Sequence, residues 1–403
     1  MSAQTIDLFV FIDGLGWEIY RAHPWFLKDH APYAKPVESI LGYSNACIPS
    51  ILCGRMPDEH LHWSSYYYSP LNSPFADIAL AGRVPRILRS VGRINRLYLA
   101  YLKRSAGFDG YFDAYDIPRW KLKRLDYYEK QDLFQPQAYN GWDNVFAAWR
   151  RQGKAWLCLS DGDDDSKLHQ LQREAATRRL PEKAYLHLNG LDGLLHQYPH
   201  ASSPVANCLS AYQSKLDAVL GGLKSQGIQC RLKVFSDHGM CRVGATVDIA
   251  RLLAGLDLDT PGDYFAFLDA TMARFWFAND RAKEKVIDRL AGLADGRWLA
   301  VEERKAHGLD PEAVGFYGEE IFLLNPGAVI EPNDLSRKAP YGMHGYDPAH
   351  KDSFAVLLSS DQLSNEPMRI TDIFQSEFVY TSRDQEYPIQ ATHLFADGCV
   401  VKT

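Results

Sequence analysis

Seven side chains in five short motifs carry the chemistry this sequence can do. They are Asp13 in FVFIDGLG, Ser44 in GYSNACIPSILCGRMPDEH, Asp192 and His196 in LNGLDGLLH, Asp237 and His238 in VFSDHGM, and His344 in GMHGYD. Carboxylates and imidazoles are the oxygen and nitrogen donors a zinc-like cation takes. A hydroxyl among them is a candidate nucleophile. Together they point to metal-assisted displacement at a phosphate ester.

Each motif has a plainer reading by itself. Ser44 stands ahead of a run that becomes helical by about Ile48–Cys53. There the backbone N–H groups and the positive helix end favour a phosphoryl anion, but serine is also an ordinary helix cap. Pro49 is awkward for a helix that starts as early as Asn45. Asp192 and His196 are four apart and share a side if the segment turns helically, as a capping Asp and a solvated His also would. Asp237–His238 at a strand end can reach one cation or form a surface loop. His344, next to Gly345, lies where the backbone can pass close to an ion, or is a turn histidine.

Position unites them. Asp7–Ile12, Ala155–Ser160, Ala184–Asn189, Arg231–Ser236 and Ser353–Leu358 read as strands, and Val205–Leu223 and Ala282–Leu293 have helical spacing. This alternation predicts an α/β fold with a mostly parallel central sheet flanked by helices. Such sheets bind ligands beyond the carboxyl ends of their strands, and Asp13, Asp192 and Asp237 all follow predicted strands. The expected organisation is a metal-binding core over 1–241 and 342–403, with an aromatic and basic insert at about 64–152. A cap subdomain is expected over 242–341, where FAFLDATMARFWF, KEKVIDRLAGL and EEIFLLN give strand–helix–strand character.

The bulk numbers bound the rest. The 403 residues suffice for one large domain with an insert, and 46 % hydrophobic with 23 % charged residues is ordinary for a globular chain. The net charge of -6 gives no sign of a nucleic-acid polymer as partner. No apolar run approaches the roughly 18 residues of a membrane span. The start, MSAQTIDLFVFIDG, lacks a basic n-region and a cleavage site and reads as the first core strand. Seven widely spaced cysteines, with no Cys-x-x-Cys, suit reduced thiols, so a cytoplasmic location is expected.

The order and company of the motifs resemble the alkaline phosphatase superfamily, and within it the type I phosphodiesterase/nucleotide pyrophosphatase branch. The resemblance covers about Asp7–Ser65, Ala184–Met240, and His344 to the ITDIF segment near Thr371. The branch's T-G-x-x-P-x-x-H block is similar to CGRMPDEH at Cys53–His60. Its nucleophile, ten residues before the Gly and thirteen before the Pro, then falls on Ser44. D-x-x-G-H resembles Asp192 to His196, while D-H-G-M at Asp237–Met240 and H-G-Y-D at His344–Asp347 stand intact.

The resemblance implies an alkaline phosphatase-like core and two divalent ions, zinc or alternatively manganese. One ion would be held by Asp192, His196 and His344. The other would be held by Asp13, Asp237 and His238, with Ser44 on it as nucleophile. It further implies that Ser44 forms a phospho-serine, with Asn45 and Ser65 binding the phosphoryl group. The chain departs from the branch at Ser44, usually Thr, at Leu61, usually Gly, and at Ser65, where an Asn is usual. The expected substrate is a phosphate ester, most of all a phosphodiester, either a small molecule or lipid-linked.

Alternatives remain open. Cys47-Ile-Pro-Ser looks like the start of a sulfatase signature, but Ile51 stands where Arg should, and Gly54 comes seven residues later instead of about ten. A phosphonate hydrolase of the same superfamily is another reading, as is a non-catalytic member that binds lipid or a partner. In the insert, Arg86, Arg89, Arg93, Arg96 and Arg104 fall on one helical stripe opposite Ile87, Leu88, Val91, Leu99 and Leu102, after Pro85. A basic amphipathic helix can lie on an anionic membrane or simply pack on the core. Tyr66–Tyr68, Trp120, Tyr127 and Tyr128 form either an aromatic wall near the site or part of the core.

Overall fold

The computed structural model describes residues 4–78 and 92–379. Ten strands build its two principal sheets: β1 (Thr5–Ile12), β2 (Tyr33–Val37), β3 (Trp156–Leu159), β4 (Lys183–Leu188), β5 (Gln229–Phe235), β6 (Tyr264–Leu268), β7 (Met272–Phe277), β8 (Gly296–Trp298), β9 (Glu320–Leu324) and β10 (Ala355–Ser359). Five helices matter to the site and its supports: α1 (Ser44–Cys53), α2 (Gly92–Ala106), α3 (Asp164–Ala176), α4 (Gly190–Leu195) and α5 (Ser203–Ser225).

The central sheet has the order β2-β10-β5-β1-β4-β3. β1 runs parallel to β4 and β5, and β3 parallel to β4, whereas β10 is antiparallel to both its neighbours. β1 lies at the middle because both its faces are apolar. Leu8, Val10 and Ile12 enter the core that also holds residues of α3 and α5, and Phe9 and Phe11 enter the core beneath α1. A strand covered on both faces reads as an unbroken apolar run, which is why β1 stands out in the sequence.

Two differences from the sequence reading concern proline. β2 carries Pro36 and gave no strand signal; it is an edge strand, where a missing N–H is tolerated. α1 begins at Ser44, not near Ile48, and accommodates Pro49 inside its span. The first turn of α1 is set by Tyr43, whose carbonyl accepts from Ala46 and Cys47 N–H at 2.7 and 3.0 Å.

Within 242–341, β6, β7, β9 and β8 form an antiparallel sheet in that order. Phe265, Phe267 and Trp276 of this sheet share a core with Tyr66, Tyr98, Leu102, Phe112 and Tyr127 of the 64–152 segment. The two segments are thus packed on one another. Pro85, Arg86, Ile87, Leu88, Arg89 and Val91 of the basic stripe lie outside the described residues. On α2, Arg93, Arg96 and Arg104 are exposed, Leu102 is buried and Leu99 is half-buried.

The amino edge of the sheet is stapled by Asp7. Its carboxylate accepts from Arg231 Nη2 at 2.8 Å and Lys183 Nζ at 2.6 Å, tying β1 to both parallel neighbours. Burial alone would raise the Asp7 pKa, but Arg231 and Lys183 outweigh it and hold the carboxyl below its ordinary range. A depressed carboxylate stabilises the fold above its unfolded pKa, near 3.9, and the benefit fades as pH falls through the folded value. Asp7→Asn should therefore cost about 1–3 kcal/mol at neutral pH. The gap from the parent should close on acidification below about pH 4. Denaturant unfolding across that range checks it, and a gap that stays constant would contradict it.

Candidate active site

The carboxyl edge of the central sheet gathers the seven residues. Asp13 follows β1 directly and its N–H donates to Leu188 O at 2.8 Å, prolonging the ladder with β4. Asp192 sits in α4, just after β4, and His196 caps that helix. Asp237 and His238 follow β5. His344 is brought in by a short antiparallel ladder that pairs Cys241–Arg242 with Gly342–Met343.

Backbone groups aim the imidazoles. A carbonyl can only accept, so His238 Nδ1 must donate to Gly239 O (2.9 Å) and His196 Nδ1 to Gly342 O (2.8 Å). Both Nε2 atoms are thereby turned toward the cluster. His238 Nε2 lies 3.0 Å from Ser44 Oγ, 3.1 Å from Asp237 Oδ2 and 3.6 Å from Asp13 Oδ1. Ser44 Oγ is also 3.3 Å from Asp13 Oδ1. On the other side, His196 Nε2 lies 3.2 Å from Asp192 Oδ2 and His344 Nε2 lies 3.7 Å from Asp192 Oδ1. The His238 and His344 rings stack at 3.6 Å and join the two halves.

The donor atoms converge without satisfying one another. Asp237 Oδ1 accepts from Gly14 N–H (3.2 Å) and its neighbour His238 N–H (3.0 Å), while buried Oδ2 has no hydrogen-bond partner. Asp192 Oδ1 is likewise buried and unpartnered. Ligand atoms of Asp192, His196 and His344 lie within 4.8 Å of one another, as do those of Asp13, Asp192 and His238. Orphaned carboxylate oxygens beside imidazole lone pairs are the donor set of a divalent cation.

The electrostatics say the same. Burial, then Asp237 and Asp192, push the Asp13 carboxyl well above its ordinary range. Burial would lower His238, but Asp237 pairs with it and raises it to about 10, and the same pairing outweighs burial to lower Asp237. His344 is driven well down by burial and by its neighbours His238 and His196.

Ser44 heads α1 and faces a cavity of about 690 Å³ that Asp13, Asn45, Ser65, Asp192, His196 and His344 also line. Asn45 Nδ2 donates to Ser65 Oγ at 2.8 Å. Cys47 is fully buried behind α1, its Sγ 3.7 Å from Ser39 Oγ, and does not line this cavity. Burial pushes its thiol well up, away from reactivity.

The far wall was not legible in the sequence. It comprises Lys103, Tyr111, Glu129, Asp132 and Asp161, with His187 on the floor. Burial and then Asp132 raise the Glu129 carboxyl to about 8, and burial lowers His187 to about 3. Of the suspected aromatic wall, Tyr66 lines the cavity. Tyr127 is buried in the core shared by the two segments, and Tyr68 stacks on Phe265 at 4.6 Å. The remaining misses, Tyr43 and Thr271, hold the site from behind. No spacing rule singles them out.

Comparisons with known proteins bear on the family and the fold. The family model for type I phosphodiesterase/nucleotide pyrophosphatase matches residues 43–347. No curated protein matches the sequence. Among solved structures, human ectonucleotide pyrophosphatase/phosphodiesterase 5 superposes with a TM-score of 0.62 at 13 % identity, over 92 % of this chain and 93 % of that one. An inactive murine form of the same protein, in complex with AMP, gives 0.60 at 16 % identity over 92 % and 93 %. Phosphonoacetate hydrolase from Sinorhizobium meliloti 1021 gives 0.56 at 17 % identity over 92 % and 94 %.

The Asp237–His238 loop depends on close backbone passage at Gly239. A Cβ there would meet Asp352 O at 2.2 Å. Gly239→Ala should therefore cost about 1–3 kcal/mol through overpacking and displace both ligands from the cluster. Unfolding midpoints and divalent-cation titration of the variant check this, and parent-like values in both would contradict it.

Proposed function

The chain belongs to the type I phosphodiesterase/nucleotide pyrophosphatase family of the alkaline phosphatase superfamily, and from that premise we propose that it cleaves a phosphodiester through a covalent phosphoserine at Ser44. The family membership makes it a phosphoester hydrolase; the covalent route, the two cations and the substrate are our reading. The observation that carries the reading is the Ser44 hydroxyl at the head of α1, facing the cavity 3.0 Å from His238 Nε2 and 3.3 Å from Asp13 Oδ1.

Asp192, His196 and His344 would hold one divalent cation, and Asp13, Asp237 and His238 the other, with Ser44 Oγ against the second. The mixed carboxylate and imidazole donors suit zinc first and manganese second. Two bound cations would lower the Ser44 hydroxyl pKa and meet the charge on the phosphoryl and leaving oxygens. Ser44 Oγ forms the bond to phosphorus as one ester oxygen departs with its alcohol, and water then displaces Oγ. The N–H groups of Ser44 and Asn45, which the first helical turn leaves without acceptors, face the phosphoryl oxygens. Ser65, already accepting from Asn45, donates its own hydrogen to them. That pairing gives a serine the role for which the resemblance led us to expect an asparagine.

The far wall narrows the substrate. Glu129, Asp132 and Asp161 also line the cavity, and among the described residues Lys103 is the one Lys or Arg in that lining. A second anionic phosphate placed there would meet the acidic Asp132 and Asp161, so this part of the lining favours a diester with a neutral or cationic arm over a polyphosphate. The buried, unreactive Cys47 weighs against the sulfatase alternative.

Metal analysis should find about two zinc-like ions per chain. His344→Ala and Asp237→Asn should each lose metal along with turnover of a nitrophenyl phosphodiester. Ser44→Ala should keep its metal yet lose turnover and the acid-trapped phosphoprotein visible by mass spectrometry in the parent. Nitrophenyl sulfate turnover that survives Ser44→Ala and disappears in Cys47→Ala would reverse the assignment.

Peripheral contact with an anionic membrane remains part of the proposal, on the narrower ground of α2. Arg93, Arg96 and Arg104 are exposed there beside Leu97, which is 69 % exposed. Each arginine near such a surface contributes on the order of 1 kcal/mol, screened by salt. The parent should float with phosphatidylserine vesicles at low salt and release as salt rises, and the triple Arg→Gln variant should not float. Equal flotation of both proteins would remove the membrane from the proposal.

A further inference from the structure

The inserted sheet reaches the active site through one turn, between β6 and β7. Thr271 in that turn is fully buried. Its N–H donates to Tyr43 Oη at 2.9 Å, its Oγ1 lies 2.7 Å from Tyr43 Oη, and its Oγ1 donates to Gly345 O at 3.0 Å. A hydroxyl has one hydrogen, and this one goes to the Gly345 carbonyl. The Tyr43 hydroxyl must therefore donate to Thr271 Oγ1 while it accepts from Thr271 N–H. The set closes in one arrangement only, and only a side chain that accepts and donates at the same atom completes it.

The two ends of this set are the residue before Ser44 and the residue after His344. Tyr43 is the cap from which α1 starts, and its ring lies edge-on to His344 at 5.6 Å. Gly345 has φ +86, and a Cβ there would meet the Tyr43 ring at 2.7 Å. The turn itself is anchored. Thr271 O accepts from Leu324 N–H of β9 at 2.8 Å, and buried Asp269 binds Arg274 Nε at 2.7 Å. Arg274 Nη1 in turn donates to Tyr66 O at 2.9 Å and Nη2 to Ser64 Oγ at 3.2 Å, on either side of Ser65.

We infer that Thr271 is a positioning residue for the reaction: its hydroxyl fixes the distance between the Ser44 nucleophile and the His344 ligand, so the inserted sheet acts as a fixed brace of the active site. Thr271 does not line the cavity. The Ser44–His344 alignment spans two chain segments 300 residues apart, and among the described residues the Tyr43–Thr271–Gly345 set is a direct polar link between them. The inference rests on the proposed reaction for its kinetic readout; its cation readout stands without that reaction.

The test compares Thr271→Val, which keeps the volume and loses the hydroxyl, with Thr271→Ser, which keeps the hydroxyl, and with Tyr43→Phe. Thr271→Val should lower kcat on a nitrophenyl phosphodiester roughly 10–100-fold, the usual effect of outer support to a metal site. KM should move by less than about twofold, since substrate contacts remain. In competition with a zinc chelator, the metal-free protein should bind one of its two ions more weakly. Thr271→Ser should match the parent in both measurements, and Tyr43→Phe should follow Thr271→Val. Parent-like kcat and cation affinity in Thr271→Val would overturn the inference, as would equal damage in the serine variant. Should Thr271→Val fail to fold by circular dichroism, Tyr43→Phe decides, and parent-like behaviour there overturns it. Should the parent cleave no phosphoester at all, the proposed reaction fails, and the chelator competition still decides the role of Thr271.

Discussion

Three carboxylates and three imidazoles, most of them buried, are held at the end of one sheet with too few hydrogen bonds among them. That is the constraint on which the structure turns. Burial first, and then repulsion from Asp237 and Asp192, raise the Asp13 carboxyl well above its normal range. Burying like charges is costly unless cations or donors compensate. The fold supplies part of that compensation through backbone donors, namely Gly14 and His238 N–H on Asp237 Oδ1. It leaves Asp192 Oδ1 and Asp237 Oδ2 without a hydrogen bond, with only imidazole Nε2 atoms nearby at 3.7 and 3.1 Å. A protein that keeps such atoms buried is built to receive positive charge there. A non-catalytic descendant would gain stability by replacing them with apolar side chains, and this chain has not done so.

The parallel sheet explains how the cluster is assembled. β1, β4 and β5 are adjacent and point the same way, so the residues just after them meet at one edge although they are far apart in sequence. This much is legible from the sequence, because those strands are covered on both faces and read as continuous apolar runs. The site ligands are legible for a related reason: each is anchored within a few residues of a strand end or between glycines.

The rest depends on long-range contacts that leave no local periodicity. β2 contains Pro36 and has mostly half-exposed or exposed residues, so no pattern marks it; only pairing with β10 makes it a strand. The start of α1 was misplaced because Pro49 argues against a helix, yet Tyr43 O and the packing of Ala46, Cys47 and Ile51 outweigh that one missing donor. Lys103, Glu129, Asp132 and Asp161 look like ordinary surface charges in the sequence. Asp161 reaches the cavity from the end of β3, and the other three line it because the 64–152 segment packs there, fixed by its shared core with β6 and β7.

That folding over gives the cavity two unlike ends. On the proposed reading, the head of α1 and the Asp/His cluster favour a phosphoryl anion at one end. Along another part of the lining, burial and then Asp132 raise Glu129 to about 8, so that carboxyl keeps its proton at neutral pH beside the acidic Asp132 and Asp161. On the proposed reading, the ligand is anionic at its phosphorus and neutral or positive beyond it. A singly charged phosphodiester meets that demand, whereas a nucleoside polyphosphate would add charge where the wall opposes it. On the proposed reading, the inserted segments therefore do two different things to one reaction: the 64–152 segment sets the charge that the ester's arm must carry, and the turn at Thr271 sets where the attacking oxygen stands.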